Sequence, residues 1–357
     1  MTNNYFIHSD KAKLLCTAIL KGVGVDEKDA AIVADNLVTA ELRGIGSHGL
    51  SRMLVYCERI VNGFINTKPN VKILKEDGSS LLIDGDNGVG QVIGLKAMDM
   101  CIQKASKTNI SMCTVKNGCH FGIAAYYAMR ALEQDMIGIA LTNAPSTMCP
   151  WGSITPMLGT NPFCFAIPAG SHRPIVLDCA TSVVARGKVV LADKENKPIP
   201  EGWALDKMGR ITTDASEALK GSVLPFGNYK GSGISLIIDI LCSMLSGANF
   251  GQHIGELYNN SETYQNLGFF FAAINIRNFT DPVLFKQRID NMIDEIKQSE
   301  KASDIEEIYV PGEIEFNNEE INRISGIKVG AGVFNDLVSL VNKYSPQINP
   351  YELVISR

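Results

Sequence analysis

Hydrophobic positions in the first 75 residues recur with the period of an α-helix. Leu14, Leu15, Ala18 and Ile19 share one face of a segment that Ser9 can cap. Ile32, Val33, Leu37 and Val38 repeat the pattern behind a cap at Asp26, as far as Arg43, where Gly44 stops the run. A third helix follows Ser47 through Met53, Tyr56 and Ile60 to Gly63. From about residue 80 the apolar runs shorten. Ser80–Ile83, Ser111–Val115, Ile137–Leu141, Phe163–Ile167, Ile175–Leu177 and Phe269–Ile274 read as strands of at most about six residues, each near Gly, Asn or Pro. Helices are predicted between them at about 90–107 and 122–134. The segment from Gly233 to Leu245 is apolar on nearly every side except Asp239, which predicts a buried core helix. A later helix puts Phe285, Ile289, Met292, Ile293 and Ile296 on one stripe. After Pro311 the chain turns polar, then closes with a helix around Val333 to Val341.

This texture predicts an α+β protein in two parts: a helical domain formed by residues 1–75 together with about 310–357, and a mixed-sheet domain over 76–309. With 45% of its 357 residues hydrophobic, the chain can fill both cores. A net charge of −5 and the lack of any Lys/Arg run argue against a nucleic-acid partner. The nine cysteines form no C-x-x-C pair and lie mostly in apolar runs, so reduced, buried thiols are expected rather than disulfides or zinc. Met1 to His8 has no basic start followed by an apolar stretch. The apolar runs fall short of the roughly 20 residues needed to span a bilayer. The expectation is a cytoplasmic, soluble protein without a membrane segment.

One motif invites a dinucleotide reading: Leu81-Leu-Ile-Asp-Gly-Asp-Asn-Gly88-Val-Gly90-Gln-Val-Ile-Gly94. A Rossmann fingerprint needs G-x-G-x-x-G and an acid about 20 residues on. Here the third glycine comes one residue late, and the next strand runs into Lys116-Asn117-Gly118 without an acid. The segment is therefore read as a strand-to-helix turn, and the fold as non-Rossmann.

Two of the five histidines stand among small, polar neighbours next to glycine. His48 lies in Gly44-Ile-Gly-Ser-His-Gly-Leu-Ser-Arg52, and His120 in Lys116-Asn-Gly-Cys-His-Phe-Gly122. Either suits general acid–base work; either could instead be a cap or a satisfied core histidine. Arg52 follows His48 by four residues and Tyr56 follows Arg52 by four, which would put all three on one helix face. A guanidinium there can clamp a carboxylate, or pair with Glu58 on the surface. Leu224-Pro-Phe-Gly-Asn-Tyr-Lys230-Gly-Ser-Gly233 brings a lysine to a helix start, a ready anion site. Gly159-Thr-Asn-Pro162 and Asp178-Cys-Ala-Thr-Ser182 are small polar loops beside strands. No metal cluster and no nucleophile elbow is present in the sequence.

Together these stretches resemble the malate/L-lactate dehydrogenase family, which also contains ureidoglycolate dehydrogenase, L-sulfolactate dehydrogenase and 2,3-diketogulonate reductase. Trp151-Gly, Gln265-Asn-Leu-Gly268 and Val310-Pro-Gly-Glu313 add to the likeness, in family order over roughly residues 10–330. The resemblance implies a non-Rossmann α+β fold and a homodimer with shared active sites. It implies a nicotinamide cofactor, NAD in preference to NADP, and a small 2-hydroxy or 2-keto acid, with malate ahead of ureidoglycolate. It implies His120 as the acid/base with His48 beside it, although the two roles could be exchanged. Ser47, Arg52 and Tyr56 match substrate-binding positions. Asp178, Cys179, Ala180, Lys230, Gly312 and Glu313 match cofactor contacts. Ala144 stands where some members have a serine, and Arg186 and Lys188 follow the cofactor loop. A non-catalytic binding protein on the same fold is the remaining alternative.

Overall fold

A computed structural model describes residues 4–194, 196–258 and 263–355. The chain opens with a short strand, β1 (Asn4–Ile7), and the helices α1 (Ser9–Gly22), α2 (Glu27–Leu42) and α3 (Met53–Val61). The Asp26 side chain accepts from Lys28 N and so caps α2, whereas α1 starts without a side-chain cap. Strands β2 (Lys72–Asp77) and β3 (Ser80–Asp84) follow. Then come α4 (Gly90–Thr108), β4 (Ile110–Gly118), the short α5 (Ala125–Ala128), β5 (Met136–Thr142), β6 (Phe163–Ile167) and β7 (Ile175–Cys179). An excursion carries α6 (Arg186–Lys194), β8 (Ala204–Leu205), β9 (Ile211–Thr212), α7 (Ala215–Lys220) and β10 (Ser222–Val223). The chain returns through α8 (Tyr229–Asp239), β11 (Leu267–Asn275) and α9 (Pro282–Gln298), and ends in α10 (Glu313–Ser325), β12 (Ile327–Gly330) and α11 (Ala331–Tyr344).

The main sheet has the order β2-β3-β4-β11-β5-β6-β7. Among the described residues β3 and β4 are its one parallel pair; the other neighbours are antiparallel. Unlike the parallel doubly wound sheet of a Rossmann domain, this one is mixed. Strand β11 lies at its centre, and its first seven residues are buried. Strands covered on both faces read as continuous apolar runs, and β4 and β11 reach nine residues each, longer than the sequence suggests. The exposed strand β2, Lys-Ile-Leu-Lys-Glu-Asp, has no buried position to give it a period and escapes a sequence reading. Helix α10, which has no fully buried residue, escapes for the same reason.

Both ends of the chain share one core. β1 pairs with β12, and Leu15, Ile19, Leu37 and Met53 pack in one cluster with Phe334, Leu337 and Val341. A second cluster under the main sheet joins Ile93, Met98 and Ala105 of α4 to Phe269 and Phe271 of β11. The excursion has a small core of its own around Val184, Val189, Ile199 and Ala218.

The expected buried helix at 233–245 is not buried. Along α8 and the π-turn after it, Ile234, Leu236, Ile237, Ile240, Met244 and Leu245 are exposed, while Ser235, Ile238, Asp239 and Cys242 face inward. Apolar residues all round are what a helix needs when its outer face is also covered, and among the described residues nothing covers it.

Candidate active site

Residues 44–52 do not continue as one helix. They form two 3₁₀ turns, Gly46–His48 and Leu50–Arg52, with Gly49 extended between them. Glu41, at the end of α2, props the loop open: its Oε1 accepts from Leu50 N at 2.8 Å. Ser51 Oγ donates to Gly46 O at 2.8 Å, and Arg52 Nε to Ser47 O at 2.7 Å. His48 thus leaves the helix face shared by Arg52 and Tyr56 and stacks on His120, which in turn meets Tyr56.

His120 stands just beyond β4, held from two sides. Gln265 Oε1 accepts from its backbone N–H at 3.0 Å. On the other side Gly90, the first residue of α4, packs against it so closely that a Cβ there would lie 2.1 Å from Cys119 O and 2.5 Å from His120 O. The glycine-rich turn that resembles a dinucleotide fingerprint therefore serves close packing of α4 on the histidine loop.

The two imidazoles stack, with centroids 5.5 Å apart and an interplanar angle of 22°. Ser47 Oγ lies 3.0 Å from His48 Nδ1, and Tyr56 Oη lies 2.6 Å from His120 Nδ1. Behind them Gln91 Nε2 donates to Tyr56 Oη at 2.9 Å. Burial, and secondarily the Arg52 charge, push His48 down to about 3. Burial, Arg52 and His48 hold His120 well below the usual histidine range. Both rings are neutral near pH 7. Burial raises Tyr56, so its phenol keeps its proton. Arg52 Nη1 is buried without a hydrogen-bond partner among the described residues, and the guanidinium carbon sits 5.4 Å from the centroid of the Tyr258 ring. An unpartnered buried donor on a permanent cation has the chemistry to hold an anion.

A second cluster forms where the loops after β6's approach, β7 and the excursion converge. Thr181 N and Oγ donate to Thr160 O at 2.8 and 2.9 Å, and Phe226 N donates to Thr181 O at 3.0 Å. A Cβ on Gly231 would lie 2.3 Å from Phe226 O, so only glycine lets α8 start this close to the other loops. Cys179, Ala180 and Lys230 belong here. Lys230 is exposed at the start of α8 and makes no ion pair among the described residues. Asp178 Oδ2 accepts from Ala125 N at 2.7 Å, and burial raises its carboxyl to about 6 against the pull of that N–H and Arg43. The clusters are neighbours, since the five steps along the chain from His120 to Ala125 span at most about 18 Å. Gly312 lies on the far flank of β7, where Val176 N donates to Pro311 O at 2.9 Å. The Glu313 carboxylate is held by Lys297 Nζ, at 3.0 and 2.9 Å, and by Val310 N at 3.0 Å. Ala144 N donates to Asn161 Oδ1 at 3.0 Å, so the backbone, with no serine hydroxyl, links this position to the second cluster.

Sequence reasoning assigned no role to Glu41, Gln91, Tyr258 or Gln265. Gln265 lies in a motif that resembles the family, and Gln91 directly follows the glycine of the rejected fingerprint.

A sequence model of the malate/L-lactate dehydrogenase family matches residues 7–338. A malate dehydrogenase of Pyrococcus abyssi is 42% identical over 345 residues, covering 94% of each chain. The L-sulfolactate dehydrogenase of Methanocaldococcus jannaschii is 41% identical, over 96% of this chain and 98% of the relative. The solved structure of malate dehydrogenase from Entamoeba histolytica superposes with a TM-score of 0.92 at 33% identity, covering 97% of this chain and 99% of that one. With its mixed sheet, its stacked histidines and these relatives, the chain belongs to the malate/L-lactate dehydrogenase family, enzymes that act on hydroxy acids.

Proposed function

We propose that this protein interconverts malate and oxaloacetate with a nicotinamide cofactor, NAD in preference to NADP, and that His120 moves the proton. The observation that carries the reading is the pair of stacked, neutral imidazoles beside Arg52, whose buried Nη1 has no partner among the described residues. Arg52 takes the substrate carboxylate, with Ser47 and Tyr56 at the same wall, and so presents the C2 oxygen to the rings. His120 accepts the hydroxyl proton during oxidation and returns it during reduction; His48 hydrogen-bonds the same oxygen. The arriving carboxylate offsets the Arg52 charge that depresses both rings, so His120 becomes a stronger base once substrate is bound.

The second cluster fits the cofactor. Lys230 and the start of α8 suit a diphosphate, and the Cys179–Ala180 backbone borders the same loops. When bound, the nicotinamide exchanges a hydride with C2 of the substrate. Arg186 donates to Leu219 O at 3.2 Å, which draws it from a ribose 2′-phosphate and favours NAD. The exposed apolar flank of α8, continuous with Lys230, is the surface on which a second copy would complete a homodimer. Nine free cysteines, eight of them buried, suit a cytoplasmic setting. Among the described residues no helix is long and apolar enough to cross a membrane.

The test is reduced-nicotinamide absorbance with NADH and NADPH against oxaloacetate, sulfopyruvate, oxalurate, glyoxylate and pyruvate. Fastest turnover of oxaloacetate with NADH supports the reading. Turnover confined to another acid rejects malate, and silence with all five favours the non-catalytic alternative.

A further inference from the structure

Gln91 is fully buried, yet one end of its amide has nothing to hold. Its Nε2 donates to Tyr56 Oη at 2.9 Å, while its Oε1 has no hydrogen-bond partner among the described residues. A primary amide that is fixed at one end only by a hydroxyl can turn over, because a hydroxyl both donates and accepts. Tyr56 Oη in turn contacts His120 Nδ1 at 2.6 Å. Two chains of hydrogen bonds fit the same heavy atoms. In one, Gln91 N–H donates to Tyr56, Tyr56 O–H donates to His120 Nδ1, and the imidazole proton sits on Nε2. In the other, His120 Nδ1–H donates to Tyr56, Tyr56 O–H donates to the Gln91 carbonyl, and Nε2 is bare.

We propose that Gln91 is a positioning residue whose amide orientation sets the tautomer of His120 through Tyr56. This rests on the reading of His120 as the proton-transfer group. Only the second chain leaves Nε2 free to accept the substrate hydroxyl proton. It also suits the imidazolium that results, since Nδ1–H keeps an acceptor in Tyr56 while Tyr56 keeps one in Gln91. The first chain stores the ring with a proton on Nε2. Gly122 N–H, 3.4 Å from Nδ1, adds a donor that tips the free enzyme toward this form. Arg52, His48, the Cys119 thiol and Tyr127 also face the Tyr56–His120 pair. Arg52 carries no acceptor for Nδ1–H, the Cys119 thiol is directed at Phe64 O and Asn87 O, the Tyr127 hydroxyl donates to Phe121 O, and His48 Nδ1 is engaged with Ser47. Oxidation therefore includes an amide reversal at Gln91, and the proton passes from substrate oxygen to Nε2 while the hydride leaves C2.

The test uses histidine labelled with ¹⁵N in the full chain, the His120 signals being those lost in His120→Gln. Free wild-type protein at pH 7.5 should show an acceptor-type Nδ1 and a protonated Nε2. Gln91→Glu supplies an ionised acceptor, and Nδ1 should become protonated. Its acid limb of kcat/KM for hydroxy-acid oxidation should rise by about one pH unit or more. Gln91→Met offers neither donor nor acceptor and should give mixed tautomers, with kcat lowered about tenfold and cofactor affinity unchanged. Identical His120 shifts in wild type and in whichever variants fold would overturn the proposal. The shifts are read without turnover, so this result is distinct from a failure of His120→Gln to lose activity, which would instead reject His120 as the proton-transfer group.

Discussion

Tyr56 Oη lies 2.6 Å from His120 Nδ1, so the imidazole is backed by a phenol instead of a carboxylate. A carboxylate would raise the ring's basicity in the free enzyme; a buried phenol, itself backed by Gln91, holds its orientation while leaving it neutral. Tyr56→Phe should lower kcat about 10- to 100-fold in both directions and leave NADH affinity unchanged, as read by steady-state kinetics and NADH fluorescence titration.

Arg52 has two effects that separate experimentally. Its buried Nη1 awaits an anion, and its charge lowers both histidines. Arg52→Gln should raise KM for the keto acid about 100-fold. The base must be unprotonated for oxidation, and in the wild type its pKa lies well below 6.5. The wild-type kcat/KM for oxidation should thus stay flat as pH falls from 8 through 6.5, with its acid limb beyond. In Arg52→Gln the limb should move upward, although burial, the larger cause, keeps it under the ordinary histidine value.

Glu41 links stability to pH. Burial raises its carboxyl from 4.5 to about 7, against the opposing bond from Leu50 N–H. A raised carboxyl means the folded protein holds a proton that the unfolded chain has released between those values. Its contribution is complete below about 4.5 and is lost as pH rises through about 7. Glu41→Gln keeps an acceptor for Leu50 N–H and removes the buried charge. It should gain about 2–3 kcal/mol at pH 8 and little at pH 4.5, measured by thermal unfolding at the two values.

The sequence showed much of this and missed the rest for identifiable reasons. Periodic helices such as α2 and α9, and buried strands such as β5, were legible because one face or both are apolar. Helix α10 and strand β2 were not, since neither buries enough to leave a period. Ser47, His48, Arg52, Tyr56 and His120 were legible as chemistry and do converge. Their arrangement was not: His48 to Arg52 read as the start of the third helix until Glu41 is seen wedged beneath the loop, a contact nine residues removed from Leu50. Gln91 could not be found by periodicity, because a buried polar residue at a helix start looks like any other polar position. Helix α8 reads as a core helix because it is apolar on nearly every side, the pattern of a helix covered on both faces.

The proposed second copy gives a further prediction. If a second copy occupies the flank of α8, Ile237→Asp should shift the protein from dimer to monomer in light scattering during size-exclusion chromatography. Ile237 is exposed in the single chain, so folding should survive the change. A wild-type monomer would reject the shared-site arrangement.

The most direct measurement is the rate of oxaloacetate reduction by His120→Gln and His48→Gln under saturating NADH, each checked for NADH binding. If His120 moves the proton, kcat should fall by about 10² to 10⁴ in His120→Gln and by less in His48→Gln, with NADH binding intact in both. A His120→Gln enzyme within tenfold of wild type, with His48→Gln inactive, would contradict it and transfer the proton to His48.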